Sequence, residues 1–502
     1  MQRNSAGGGL ASASADGRLA LVILLSLGCV VVLLLLVFAG GYGYHRDELY
    51  FIAVGEHLAW SYPDQGPVTP LLAHLMSTLA PGSLTVLRVP SAFMAGGTVV
   101  LTGAIAHELG GRRRAQVVAA SCAAVASVIL VVGHLLSTST FDLLAWSVVS
   151  WLVARMIRTG ELRLWLVVGV VAGVDLLNKP LIAFLLTGLV ASLLTVGPRR
   201  LLRSRWAWVG LVIAVVIWMP WLLWQAEHGW PQLKVSSAIA SGGSASSQPR
   251  WALLPFQFLL VSPVLAPVWI AGLVALMRRP RLRAFRVFAV TWILLALVFM
   301  VTGGKPYYLA GMFPVLLGAG AIEADAWLMR GAPRLRLGSL GGAIALSGLV
   351  SAVIALPILP AKQAGPVIAI NADAGETIGW PDFARTVADV YRRAPGHPVI
   401  FTSNYGEAGA LDRYGPRLGL PGAYSGHNAF ADWGPPHKRR GPVVAIGLDT
   451  TQLYAYFEGC RLAARVNNSA GIDNDERGTP IELCSRTRRP WSQVWTSLRH
   501  LG

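Results

Sequence analysis

Long apolar blocks, rather than alternation, dominate the hydrophobic pattern of this chain. The first covers residues 19–40. Ten more follow at about 86–106, 115–133, 140–157, 164–178, 180–197, 206–224, 255–277, 287–303, 307–328 and 340–358. Most approach the ~20 residues a helix needs to cross a bilayer, so the pattern predicts eleven transmembrane helices. The first block is too long for a signal-peptide core and no clear small-residue cleavage site follows it, so it reads as a retained helix. Residues 1–18 are small and polar and read as a disordered cytoplasmic tail.

Beyond residue 358 the pattern changes. Short β-type runs (PVIFTS, PVVAIGL, RLAARV, IELCS) are interspersed with helical-looking stretches (PDFARTVADVYRR, WSQVWTSL), which predicts a small α/β domain over 359–502. The expected fold class is therefore a polytopic α-helical membrane protein with a small C-terminal extracytoplasmic α/β domain. The first external loop, 41–85, belongs to the transmembrane domain 19–358, and no internal repeat of fixed period is visible.

Composition supports the membrane reading: 54% of residues are hydrophobic and 13% charged, where soluble domains carry about a quarter charged residues. The net charge of +17 need not mean a nucleic-acid partner. The basic residues cluster in GGRRR, RMIRTGELR, GPRRLLRSR, MRRPRLRAFR and RGAPRLR, each with three to five arginines, while the alternate loops carry few. By the positive-inside rule those clusters are cytoplasmic; the N-terminus is then inside, and the C-terminal region outside. Basic loops beside a membrane also favour anionic lipid. The dominance of arginine over lysine, with much Ala and Gly, suggests a bacterial origin and so the bacterial cytoplasmic membrane.

Candidate chemistry gathers at the outer face. The first external loop opens on His45-Arg46-Asp47-Glu48, and DELYFIAVGEHLAW has helical spacing with its acids at the N-terminal end. It reads as a helix lying along the membrane surface. The plain account of Asp47 and Glu48 is that they cap it. At the same depth lie Arg88, Asp142, Asp175, Asn178, Lys179, Lys305, Tyr307 and Tyr308. Ionisable residues in membrane segments are costly and face a cavity or a partner; the plain alternative is that the lysines snorkel to headgroups or pair with the aspartates. A carboxylate with several cations suits a sugar carried on a lipid phosphate. Lysine or arginine would hold the phosphate, and the carboxylate would take the proton of an acceptor hydroxyl. A carboxylate could instead bind a divalent metal, but no strong ligand cluster accompanies it. There is no Walker-type phosphate loop.

With those pieces in hand, the sequence resembles the GT-C membrane glycosyltransferases, and within them family 39, the protein O-mannosyltransferases and the lipid A aminoarabinose transferase, in a bacterial branch. The matching segments are RDELYFIAVGEHLAWSYPDQGPVTPLLAHL, LRVPSAFMAGGTVVLTGAIAHELGG, STFDLLAW, GVDLLNKP, GGKPYYLAGMFP, YGEAGALDRYG and SGHNAFADWGPP. The resemblance implies an inverting transfer from a polyprenyl-phosphate sugar, with Asp47 as general base and Glu48 as the neighbour that tunes it or contacts the acceptor. Arg88, Lys179 and Lys305 become candidates for the donor phosphate, and His57, Asp142, Tyr307, Tyr308 and His427 for substrate binding. The acceptor is a glycolipid, a polymer or a protein. Where relatives often show DxPP, this chain has DQGPVTP, with Gly66 in place of the first proline. No sugar-binding repeat domain of the protein-mannosyltransferase type lies between the helices.

Two further classes stay open at this level: a lipid or polysaccharide transporter, and a non-catalytic envelope assembly protein. Of the four cysteines, Cys29 and Cys122 lie in apolar helices and read as core residues. Cys460 and Cys484 lie in the polar C-terminal region and would pair in an oxidising compartment.

Overall fold

The computed structural model describes residues 18–242 and 248–501, so the tail expected over residues 1–18 lies, but for Arg18, outside the described residues. All eleven apolar blocks are helical. Among the described residues, seven helices are long and apolar enough to span a membrane: Leu21–Phe38, Leu84–Glu108, Thr138–Thr159, Arg205–Glu227, Pro280–Thr302, Pro306–Leu328 and Pro333–Ala355. The blocks at 115–133 and 255–277 are not straight spans. The first breaks into Arg113–Ala124 and Ser127–His134, bent by 54°, and the second into Arg250–Val261 and Pro263–Arg278, bent by 89°. Proline explains the sharper bend, because it cannot donate to the preceding turn and disfavours helix at the residue before it; Ser262, that residue, has left the helical region, at φ 136° and ψ 134°. The blocks at 164–178 and 180–197 give helices of only 12 and 14 residues, shorter than a bilayer core at ~1.5 Å per residue.

The chain divides into two compact units: the described parts of Met1–Val37, Val89–Pro220 and Ser246–Ala352, and those of Phe38–Arg88, Trp221–Ala245 and Val353–Gly502. The first is a helical unit held by close backbone approach. A Cβ on Gly272 would lie 2.0 Å from the Leu316 carbonyl oxygen, and one on Gly320 would lie 1.9 Å from that of Val268. Only glycine permits this contact between Ala266–Arg278 and Phe313–Leu328, as at small-residue interfaces in membranes. The arginines of the basic loops also pair with acids: Arg158 and Arg155 meet the buried Glu108 at 2.5 and 3.7 Å, and Arg279 and Arg281 meet the partly buried Glu323 at 2.6 and 2.8 Å. Cys122 is buried, but Cys29 is exposed, because its helix presents apolar side chains outward along most of its length.

The second unit joins the segment after the first helix to the C-terminal region. Two helices, Arg46–Gly55 and Val68–Leu79, carry the first. The surface helix expected over DELYFIAVGEHLAW is thus shorter and stops at Gly55. The C-terminal region holds β1 (Val399–Thr402), β2 (Tyr424–Ser425), β3 (Val443–Ile446), β4 (Phe457–Glu458), β5 (Arg461–Arg465), β6 (Pro480–Cys484) and β7 (Arg486–Thr487). Its main sheet has the order β2-β1-β3-β6-β5, with β1 parallel to β2 and β3, and β6 antiparallel to β3 and β5. Phe401, Phe457, Trp491 and Trp495 fill the core beside it. Cys460 and Cys484 are bonded in a disulfide.

Candidate active site

The helix Arg46–Gly55 sets the first group of candidate residues. His45 is its N-cap, accepting the Asp47 N–H at Nδ1, and Glu48 accepts the His45 backbone N–H at 2.9 Å. This reciprocal capping uses one acid of the pair and leaves the other to a different role. Glu48 is fully buried, and the guanidinium of Arg88 clasps it with two bonds, Nε to Oε1 and Nη2 to Oε2, both 2.8 Å. Arg88, itself 1% exposed, also donates to the carbonyls of Ala39 and Gly43. The candidate phosphate ligand is therefore spent on a buried pair that ties the helix to the preceding and following chain.

Asp47 is half-buried and turns the other way. The Tyr405 hydroxyl donates to its Oδ1 at 2.8 Å. Tyr405 begins the helix Tyr405–Tyr414, which Asn404 caps together with Glu407. Glycines let that helix lie against Arg46–Gly55: a Cβ on Gly409 would come within 2.9 Å of the Leu49 backbone, and one on Gly406 within 2.8 Å of Arg46 Cβ. Burial and the adjacent Asp47 charge hold the Tyr405 phenol well above its usual range, so it keeps its proton and donates.

His45 and Arg46 are anchored in parallel. Glu376 lies 3.2 Å from His45 Nε2 and 2.9 Å from Arg46 Nε. Burial alone would lower the His45 pKa, but the Glu376 bond and the nearby Asp47 charge carry it up to about 9; the Nδ1 cap belongs to the neutral ring, because both nitrogens of an imidazolium are donors. Further along, the Tyr50 hydroxyl donates to Asp64 Oδ1 at 2.7 Å and Asn428 Nδ2 donates to Oδ2 at 3.0 Å. Burial pushes the Asp64 carboxyl up to about 7, against the opposing pull of the Tyr50 bond. Asp64 opens the DQGP departure, so the turn with Gly66 is pinned at its acid. His427 is buried with its ring 4.8 Å from that of Tyr405, and burial lowers its pKa to about 3, so it is neutral. His57 is exposed and packs its ring 4.3 Å from Trp433.

The remaining candidates form a second group, within the helical unit. Lys179 Nζ bonds Ser139 Oγ at 3.0 Å and lies 5.0 and 5.5 Å from the ring centres of Tyr307 and Tyr308. Cation–π attraction of this kind holds the ammonium, and the nearby Asp142 and Asp175 side chains also act on it electrostatically. Asp142 accepts from Trp146 Nε1 at 3.0 Å, and Asp175 accepts from Asn178 Nδ2 at 3.1 Å. Lys305 is partly buried and immediately precedes the 3₁₀ turn Pro306–Met312 that carries both tyrosines. Among the described residues no three His, Cys, Asp or Glu side chains group as metal ligands.

The sequence reading did not single out Tyr405, Glu376, Tyr50 or Asp64 as functional. Tyr405, Tyr50 and Asp64 sit inside the segments that carry the family resemblance, YGEAGALDRYG and RDELYFIAVGEHLAWSYPDQGPVTPLLAHL. Glu376 left no local signal, because only the tertiary fold brings it to His45 and Arg46.

Comparison with known proteins fits this architecture. Residues 64–224 match the sequence profile of the family described as dolichyl-phosphate-mannose-protein mannosyltransferase. No curated protein matches in sequence. Among solved structures, ArnT from Cupriavidus metallidurans bound to undecaprenyl phosphate aligns with a TM-score of 0.60 at 16% identity, over 93% of this chain and 98% of that one. Its apo form aligns at 0.59 and 15% identity, over 92% and 97%. The fold is thus that of the ArnT structures.

Proposed function

We propose that this protein moves a sugar from a polyprenyl-phosphate donor to an acceptor hydroxyl at the outer face of the bacterial cytoplasmic membrane, with Asp47 as general base. The observation that carries this reading is the division of labour in the Asp-Glu pair. Glu48 is neutralised by Arg88 and serves the fold, while Asp47 is half-buried and oriented by a neutral phenol. A carboxylate so held suits proton abstraction from a hydroxyl brought within hydrogen-bond reach. In the proposed step the acceptor oxygen attacks the anomeric carbon as its proton passes to Asp47. The bond from that carbon to the phosphate oxygen breaks, and its electron pair leaves on the polyprenyl phosphate. Attack opposite the leaving group inverts the anomeric centre.

Charge that grows on the leaving phosphate calls for a fixed cation. Lys179, held by Ser139 and two tyrosine rings, takes that role, with Lys305 as its second; Arg88 braces Glu48 instead. The bound undecaprenyl phosphate of the ArnT structure supports a lipid-linked donor here. The acceptor is a glycolipid, an envelope polymer or a protein. The test offers membranes a panel of radiolabelled polyprenyl-phosphate sugars and determines the configuration of the product linkage. The reading expects transfer with inversion; a product that retains the donor configuration would exclude single displacement by a base.

A further inference from the structure

Three consecutive residues at the start of the helix Arg46–Gly55 each take a partner from the C-terminal region: His45 and Arg46 from Glu376, and Asp47 from Tyr405. The C-terminal region also reaches Asp64 through Asn428 and Leu49 through Gly409, and of these contacts the Tyr405 bond is the one that falls on the candidate base. We infer that Tyr405 is the positioning residue for Asp47, and that the C-terminal region is therefore part of the catalytic apparatus rather than a lid over it. This rests on the reading of Asp47 as the base.

The geometry gives Tyr405 one polar task. Its ring is fixed between Tyr50, 4.5 Å away, and His427, 4.8 Å away, with the Arg46 guanidinium 5.8 Å from its centre. Its hydroxyl meets Asp47 Oδ1 and directs that oxygen's lone pair. A donor bonded to a carboxylate favours the ionised form. Tyr405 therefore holds Asp47 both in one orientation and as the anion a base must be.

The experiment is steady-state transfer by the full chain in membranes, from the active donor of the panel, as a function of pH. Tyr405→Phe keeps the ring and removes the bond. It is expected to lower kcat about 10- to 100-fold, leave the donor KM unchanged, and move the acid limb of the kcat profile upward by about one unit. Tyr405→3-fluorotyrosine, a stronger donor of the same shape, should move that limb down; it serves if the phenylalanine variant folds poorly. If Asp47→Asn is inactive while both Tyr405 variants keep the wild-type limb and kcat, Tyr405 is only a packing residue and the inference is overturned. If Asp47→Asn itself turns over normally, the base assignment fails first.

Discussion

At the scale of single residues, two adjacent acids with the same sequence context have opposite fates. Glu48 and Arg88 form a buried pair, and removing one partner strands a charge in the interior. Arg88→Ala should cost about 3–5 kcal/mol, read as a lower unfolding midpoint in detergent, whereas replacing Glu48 and Arg88 together by Met should recover much of that loss. His45 supplies a pH prediction. Its pKa in the fold, about 9, lies above the 6.5 of an unpaired histidine. The stability it contributes is therefore complete below about pH 6.5 and is lost as pH rises through about 9. Thermal unfolding between pH 6 and 10 should show that decline, and Glu376→Gln should flatten it. The presence of an acid pair was legible in the chain; which acid does which task was not. That choice depends on Arg88, forty residues away, and on Tyr405, 358 residues away.

At the scale of elements, helices were readable because apolar blocks announce them, and the strands because β-type runs and turn residues do. The bends were harder. PVL in the middle of 255–277 contains the proline that breaks the block, yet hydropathy averages over it. Two glycines of YGEAGA make the surface on which the helix carrying Asp47 rests, a packing role that composition does not reveal. Gly409→Ala should push Tyr405–Tyr414 off Leu49 and lower transfer while the donor KM stays put. Gly272→Ala or Gly320→Ala, in the helical unit, meets a carbonyl oxygen at about van der Waals overlap and should abolish accumulation of folded protein in the membrane.

At the scale of the whole molecule, composition alone gave a multi-pass membrane protein, and the solved relatives give the same architecture over nearly the full chain. Domain boundaries were less visible, because a compact unit here is assembled from segments far apart: the stretch Phe38–Arg88 groups with Val353–Gly502. The Cys460–Cys484 bond closes a separation of 24 residues within that unit. Cys460→Ser with Cys484→Ser should destabilise it by about 3 kcal/mol on a loop-entropy estimate, seen as an earlier loss of the C-terminal region to protease. The central claim is that Asp47 performs base catalysis on a lipid-linked sugar. The measurement that tests it most directly compares wild type with Asp47→Asn in membranes, using radiolabelled polyprenyl-phosphate sugars as donors and total envelope as acceptor. The account predicts label entering an envelope fraction with wild type and none with the folded variant; equal transfer by the two would contradict it.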